Sequence, residues 1–314
     1  EFVAQEEMDR IDGYWWSPDE SRIAVERFDE SGVGIVTRAA IGATGTKVFD
    51  QRYPVAGSDN AVVELYVMDP DGQNRVKVDL GDNQDIYLAR VDWAGDELYV
   101  QRENREQTKL DILRVDPKTG DSTVLFTENA AVEDYWINLS NNYKWLDDGN
   151  LIWWSERDGY GHLYLFDNSG SQDWKQLTSG EWVVTKLVGV DQKARRVFFL
   201  GTKDDVLEQH VYALDLDNPD SVTRLTEQGF THSASMDEKG QTLLIGRSND
   251  DTPPQSYIAD ATGKRLAWIE ENKLEGEHPY APYLASHQPT QYGTISAEDG
   301  TPLYWEMVTP EMEP

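Results

Sequence analysis

The sequence predicts an all-β fold built from repeated four-stranded antiparallel units, and three observations carry the prediction. A short apolar strand closing in Asp recurs at Leu65–Asp69, Ile112–Asp116, Leu163–Asp167, Val211–Asp215 and Ser256–Asp260, the closing aspartates standing 47, 51, 48 and 45 residues apart. A second element keeps step with it: Trp16-Ser17-Pro18-Asp19, Trp93-Ala94-Gly95-Asp96, Trp145-Leu146-Asp147-Asp148, Val190-Asp191-Gln192 and Met236-Asp237-Glu238. Helical periodicity, finally, is nearly absent.

Each member of the second series leads into a β-rich run, in order Arg22–Val25, Glu97–Val100, Leu151–Trp154, Val197–Leu200 and Thr242–Ile245. β-Branched and aromatic residues suit a pleated surface, and the Pro, Gly and Asp clusters between the runs suit turns. Every period therefore holds about four strands. A small twisted sheet cannot bury both faces alone, so sheets repeating every 48 residues or so must stack on one another, which is the pattern of β-propeller blades. About five such blades occupy residues 1–290.

Going along the chain, the one helical candidate is the opening, Phe2 to Arg10. From Trp16 to Trp93 the spacing exceeds the period by about 30 residues, and the surplus falls at 30–62. An insertion of that size inside one blade reads as a surface arm, either for a partner or as a plain loop. After Asn272 the sequence is loop-like to Thr290. Tyr292–Ser296 and Leu303–Val308 then make a last hairpin around Asp299-Gly300, outside the repeat, so residues 291–314 are expected to open a different, truncated domain.

Composition narrows the function. The 314 residues carry 58 Asp and Glu against 28 Lys and Arg, a formal net charge of -30. Such a field repels phosphate backbones and anionic lipid, which argues against nucleic-acid and membrane-surface partners and for basic or zwitterionic ones. No run approaches the roughly 18–20 consecutive apolar residues of a membrane-spanning helix. With no cysteine there is no disulfide and no thiolate nucleophile or ligand. The start lacks both a signal-peptide pattern and an initiator Met, from which the chain is expected to begin inside a longer protein.

A catalytic centre is not legible. No Gly-x-Ser-x-Gly elbow is present. His162, His210, His232, His278 and His287 are too dispersed for a His-x-x-x-His zinc pair and read as turn or surface residues. Asp69-Pro70-Asp71-Gly72 and Asp215-Leu216-Asp217-Asn218 lack the glutamate that completes a calcium loop, and Gly42–Lys47 lacks the glycine spacing of a phosphate loop. Neither a metal nor a cofactor is expected. What remains is Glu6-Glu7 on the opening segment. By themselves two adjacent acids describe a solvated helix face, as Glu270-Glu271 does; facing a cavity, they match a primary ammonium, whose three N–H donors and charge need compensation once water is excluded.

Context separates the two. Phe2–Arg10 followed by Gly13-Tyr14-Trp15-Trp16-Ser17-Pro18-Asp19 resembles the Glu-Glu segment in the propeller of dipeptidyl peptidase IV. Similar stretches follow at Arg52–Gly57 with Asn60, at Ser155–Tyr160 with His162-Leu163-Tyr164, at Leu177–Trp182, and at Ser248 with Pro253-Pro254, the bacterial members being the most alike. The resemblance implies an eight-bladed propeller of which about five blades are present. It implies that Glu6 and Glu7 bind the free N-terminal ammonium of a peptide substrate, so that an X-Pro or X-Ala dipeptide is released. Catalysis is then assigned to a Ser-Asp-His triad on a C-terminal α/β-hydrolase domain, entered at Met307-Val308-Thr309-Pro310, so this chain holds no catalytic residue and should be inactive alone.

The same resemblance makes 30–62 an arm for homodimer formation and the compartment periplasmic or secreted. Gln5 stands where a third acid is common, and Asn138-Leu139-Ser140-Asn141 departs from the family's substrate-contacting loop. Two other readings are a non-enzymatic propeller that binds proteins and the propeller of a prolyl tripeptidyl peptidase.

Overall fold

In a computed structural model, which describes residues 2–132, 135–169 and 173–310, a five-residue helix α1 (Phe2–Glu6) precedes an almost wholly β chain. The helix is shorter than the expected Phe2 to Arg10. It stops because Asp9 turns into the left-handed region, at φ 50°, which the short polar side chain of Asp tolerates.

The first blade is built from β1 (Tyr14–Trp16), β2 (Ile23–Asp29), β5 (Val62–Met68) and β6 (Val76–Lys77). Between its second and third strands rises the arm, a hairpin of β3 (Ile35–Gly42) and β4 (Gly45–Arg52). Gly42–Gly45 is the tip of that hairpin. The second blade comprises β7 (Ile86–Ala94), β8 (Glu97–Asn104), β9 (Lys109–Val115) and β10 (Ser122–Asn129). The third period supplies β11 (Lys144–Trp145), β12 (Leu151–Ser155), β13 (His162–Phe166) and β14 (Trp174–Gln176). The fourth blade has β15 (Val184–Asp191), β16 (Arg196–Gly201), β17 (His210–Asp215) and β18 (Asn218–Arg224). The fifth has β19 (Thr231–Met236), β20 (Thr242–Asn249), β21 (Thr252–Asp260) and β22 (Arg265–Glu270). A 3-10 turn at Ala281–Ser286 interrupts the stretch expected to be loop, and β23 (Gln291–Ser296) pairs with β24 (Pro302–Met307) to close the chain.

The chain divides into two compact units, Glu1–Gly159 with Phe166–Asp173, and Tyr160–Leu165 with Trp174–Pro314. In the first, the facing sides of the first two blades bury Leu65, Val67, Leu88, Leu98, Val100 and Leu113, with Trp15 and Trp93 packed against them. Trp93 also donates its indole N–H to the Trp15 carbonyl at 3.0 Å, so one repeated Trp is tied to the strand that ends in another, Trp16. In the second unit the fourth and fifth blades bury Phe198, Leu200, Val211, Leu243, Ile245 and Tyr257 against one another. This is the stacking that blades require, since each sheet alone would leave a face wet.

Two turn glycines show how closely blades approach. A Cβ on Gly120 (φ 82°) would lie 2.1 Å from the Lys77 carbonyl oxygen, and one on Gly240 (φ 70°) 2.5 Å from the Asp191 backbone. Among the described residues no helix is long and apolar enough to cross a membrane.

Three histidines depart from expectation. His162, His210 and His232 are fully buried on strands rather than placed in turns or on the surface. The reason is the repeat itself: His162 and His210 each open the third strand of a blade, and each ring Nδ1 meets a threonine hydroxyl, Thr178 at 3.0 Å and Thr226 at 3.3 Å. An imidazole with a partner for its polar edge can be buried.

Candidate functional site

Antiparallel blades sort their connections by end. The link from second to third strand and the link leaving the fourth strand emerge at one end; the tight Asp-rich turns emerge at the other. In the first unit that first end gathers α1, the arm, the Asn104–Lys109 turn, the segments 130–132 and 135–143, and the turn after Ser155.

Glu6 is the last residue of α1 and Glu7 follows it, the Glu7 N–H bonding the Val3 carbonyl at 2.9 Å. Both side chains are exposed. Their backbone is fixed from beneath by Val3, Ala4 and Met8, all buried. The stronger anchor is Arg10. Its guanidinium makes a bidentate pair with Glu26, Nη2 to Oε1 at 2.7 Å and Nη1 to Oε2 at 2.8 Å, while Nε donates to the Leu88 carbonyl at 3.0 Å and Nη1 to the Asp12 carbonyl at 2.7 Å. Arg and Glu side chains are only 7% and 4% exposed, so the pair is desolvated and tolerates the loss of neither partner. The Arg10 charge also stands 5.7 Å from the Trp15 ring centre. Two exposed carboxylates thus stand on consecutive residues of a segment whose backbone is anchored by other residues. Chemically they can accept several hydrogen bonds from one cation and neutralise it; they offer no nucleophile.

A cavity of about 380 Å³ opens at the same end, lined by Tyr135, Trp136, Ile137, Trp153, Trp154 and Asn138 among others. Its floor is a buried polar network on Glu128, which accepts from Trp153 Nε1 at 3.0 Å, Ser155 Oγ at 2.7 Å and Arg157 Nη2 at 2.5 Å. Asn138 Nδ2 donates to Glu156 Oε2 at 2.7 Å, tying the inter-blade segment to the turn that follows β12. Nearby, Tyr143 donates to Asp92 at 2.7 Å; burial pushes the Asp92 carboxyl up and, with the Asp92 charge, pushes the Tyr143 phenol far up. Sequence reasoning missed this cavity. The available signal was Tyr135-Trp136, two large aromatic residues in a stretch between strands, and both are more than half exposed. Among the described residues no three His, Cys, Asp or Glu side chains group so as to hold a metal ion.

A family model described as the dipeptidyl peptidase IV (DPP IV) N-terminal region matches residues 1–254. The chain belongs to that family. Human dipeptidyl peptidase 8 is 28% identical over 325 residues, an alignment taking in 80% of this chain and 36% of that protein. The crystal structure of Porphyromonas gingivalis dipeptidyl peptidase 4 matches with a TM-score of 0.86 at 26% identity, over 98% of this chain and 43% of that one. The chain therefore spans less than half the length of these relatives, and the β-propeller class read from the repeats is that of the family's N-terminal region.

Proposed function

We propose that this chain is the amine-binding, substrate-gating propeller of a serine exopeptidase like dipeptidyl peptidase IV, one that releases N-terminal X-Pro or X-Ala dipeptides. The observation that carries the reading is the pair Glu6-Glu7, exposed on a segment anchored by Arg10–Glu26 and by buried Val3, Ala4 and Met8. A substrate's terminal ammonium held there is a fixed distance from any nucleophile supplied by a following domain, so the carboxylates set the length of the product. The aromatic cavity at the same end offers apolar walls to a peptide side chain. Further parts of the proposal are a homodimer formed through the 30–62 arm and a following hydrolase domain, and a periplasmic or secreted location.

The test is Glu6→Gln and Glu7→Gln in the full-length enzyme. Because both side chains are exposed, losing one charged hydrogen-bond partner of the ammonium costs roughly 1.5–3 kcal/mol. At about 1.4 kcal/mol per decade that is roughly a ten- to hundredfold loss in kcat/KM on a Gly-Pro chromogenic amide. Stability should stay level, because two exposed like charges do not hold a fold together. Near-parental activity in both variants would reduce the pair to a solvated acidic face. Mass spectrometry of the released product separates dipeptide from tripeptide release.

A further inference from the structure

α1 is five residues long, far below the length at which a helix holds itself in water. Its position must come from its contacts. Arg10 and Glu26 fix the far end. At the near end the first residue, Phe2, is gripped by the arm: its ring meets the Tyr53 ring edge-on, with centroids 5.5 Å apart at 63°, and the Arg38 guanidinium lies 5.8 Å from its centre. Arg38 comes from β3 and Tyr53 directly follows β4, so both legs of the hairpin reach the same side chain.

The stem that presents them is itself braced. The Tyr53 N–H bonds the Gly34 carbonyl at 3.0 Å, and Arg52 Nη1 bonds the Val33 carbonyl at 2.6 Å. Arg105, from the turn between β8 and β9, donates to the Pro54 carbonyl at 3.3 Å while its guanidinium lies 5.7 Å from the Tyr87 ring centre. The arm stem is thus tied to the second blade and to α1 at once.

We infer that Tyr53 and Arg38 are positioning residues for the amine site: through Phe2 the arm sets where Glu6 and Glu7 stand. Whatever packs on the arm then acts on amine binding as well. The inference rests on the amine-binding reading of Glu6 and Glu7. An edge-to-face aromatic pair contributes little to global stability but much to the angle of a short helix, and misplacement on the scale of an ångström is enough to weaken a charged contact.

The experiment compares Tyr53→Ala, Tyr53→Phe, Arg38→Gln and Phe2→Leu with Glu6→Gln in the full-length enzyme, reading KM and kcat on a Gly-Pro chromogenic amide, the mass of the assembly and the melting temperature. Tyr53→Ala should raise KM about tenfold with kcat within about twofold, the signature of lost ground-state binding. Arg38→Gln should raise KM by about threefold, since a partly exposed cation–π contact is the weaker grip. Tyr53→Phe should restore parental KM, and mass and melting should not move. If Tyr53→Ala dissociates or unfolds the protein, Phe2→Leu, which leaves the arm whole, decides by the same KM criterion. Parental KM in Tyr53→Ala and Phe2→Leu alongside a crippled Glu6→Gln overturns the inference and leaves amine binding standing. Parental activity in Glu6→Gln overturns the amine site and the inference with it.

Discussion

Glu103 offers a sharp test of the first unit's interior. It lies on β8 opposite Tyr87 of β7 and Leu110 of β9, is 1% exposed, and among the described residues neither carboxylate oxygen has a hydrogen-bond partner. Burial pushes its carboxyl up to about 7, against the pull of the Arg90 charge on β7. The ordinary value is 4.5, so between pH 4.5 and 7 the unfolded chain has released a proton that the folded chain retains. Stability must therefore fall as pH rises through that window and level off above it. The span corresponds to about 3 kcal/mol at 1.36 kcal/mol per unit, a large part of the roughly 5–15 kcal/mol that holds a domain folded. Glu103→Gln removes the titration. The amide stays buried, so it can carry a constant cost, and the pH slope is the quantity to read. Unfolding free energies of parent and variant from urea titrations should diverge in the variant's favour by about 3 kcal/mol between pH 4.5 and pH 8. A difference that stays flat over this range would mean that the carboxylate is ionised at no cost, and the assignment of an unpaired buried acid would be wrong.

Two further outcomes are expected. Burial holds His232 down to about 4, its Nε2 without a hydrogen bond among the described residues and 3.6 Å from Glu227 Oε2, so the unfolded chain takes up a proton first. Stability from this site is complete above pH 6.5 and declines by about 3 kcal/mol as pH falls to 4, a slope that His232→Gln should abolish in the same titrations. Arg10→Met strands the Glu26 carboxylate in a buried site and should destabilise by about 3–5 kcal/mol in thermal or urea unfolding, with Arg10→Met/Glu26→Leu recovering most of the loss.

The repeat made the blades legible because register and burial are periodic: a strand such as Val62–Met68 alternates between buried and half-buried residues, and the pattern then recurs with the blade. Observed β9 and β21 begin a few residues earlier than their repeated runs, at Lys109 and Thr252, because these strand-end residues pair in the ladder without being apolar. The arm was visible as surplus length but not as a hairpin, since Ile35, Ile41 and Val48 are exposed and follow no core pattern. The buried histidines were misread for a related reason. A residue type that is polar in isolation becomes a core residue once a threonine stands 16 positions later, as for His162 with Thr178 and His210 with Thr226. No local signal in the sequence announces that pairing; only the comparison of two periods would have.

The candidate site differs in kind from the blades. Glu6 and Glu7 have no periodicity and no shift in composition to mark them, and a chain of net charge -30 contains such pairs without function. What distinguishes them is the effort spent elsewhere to keep them still: a desolvated Arg10–Glu26 pair, a left-handed Asp9, and Phe2 held by Tyr53 and Arg38. A solvated acidic face needs none of these, because mobile carboxylates are hydrated equally well in any position. On the proposed reading, an anchored backbone lowers the entropy that is lost when the two side chains order around an ammonium. Glu270 and Glu271, the comparison pair, sit at and just beyond the end of the last blade's edge strand β22, with Lys273 3.3 Å from Glu271. Glu271 of that pair already has a cation of its own chain.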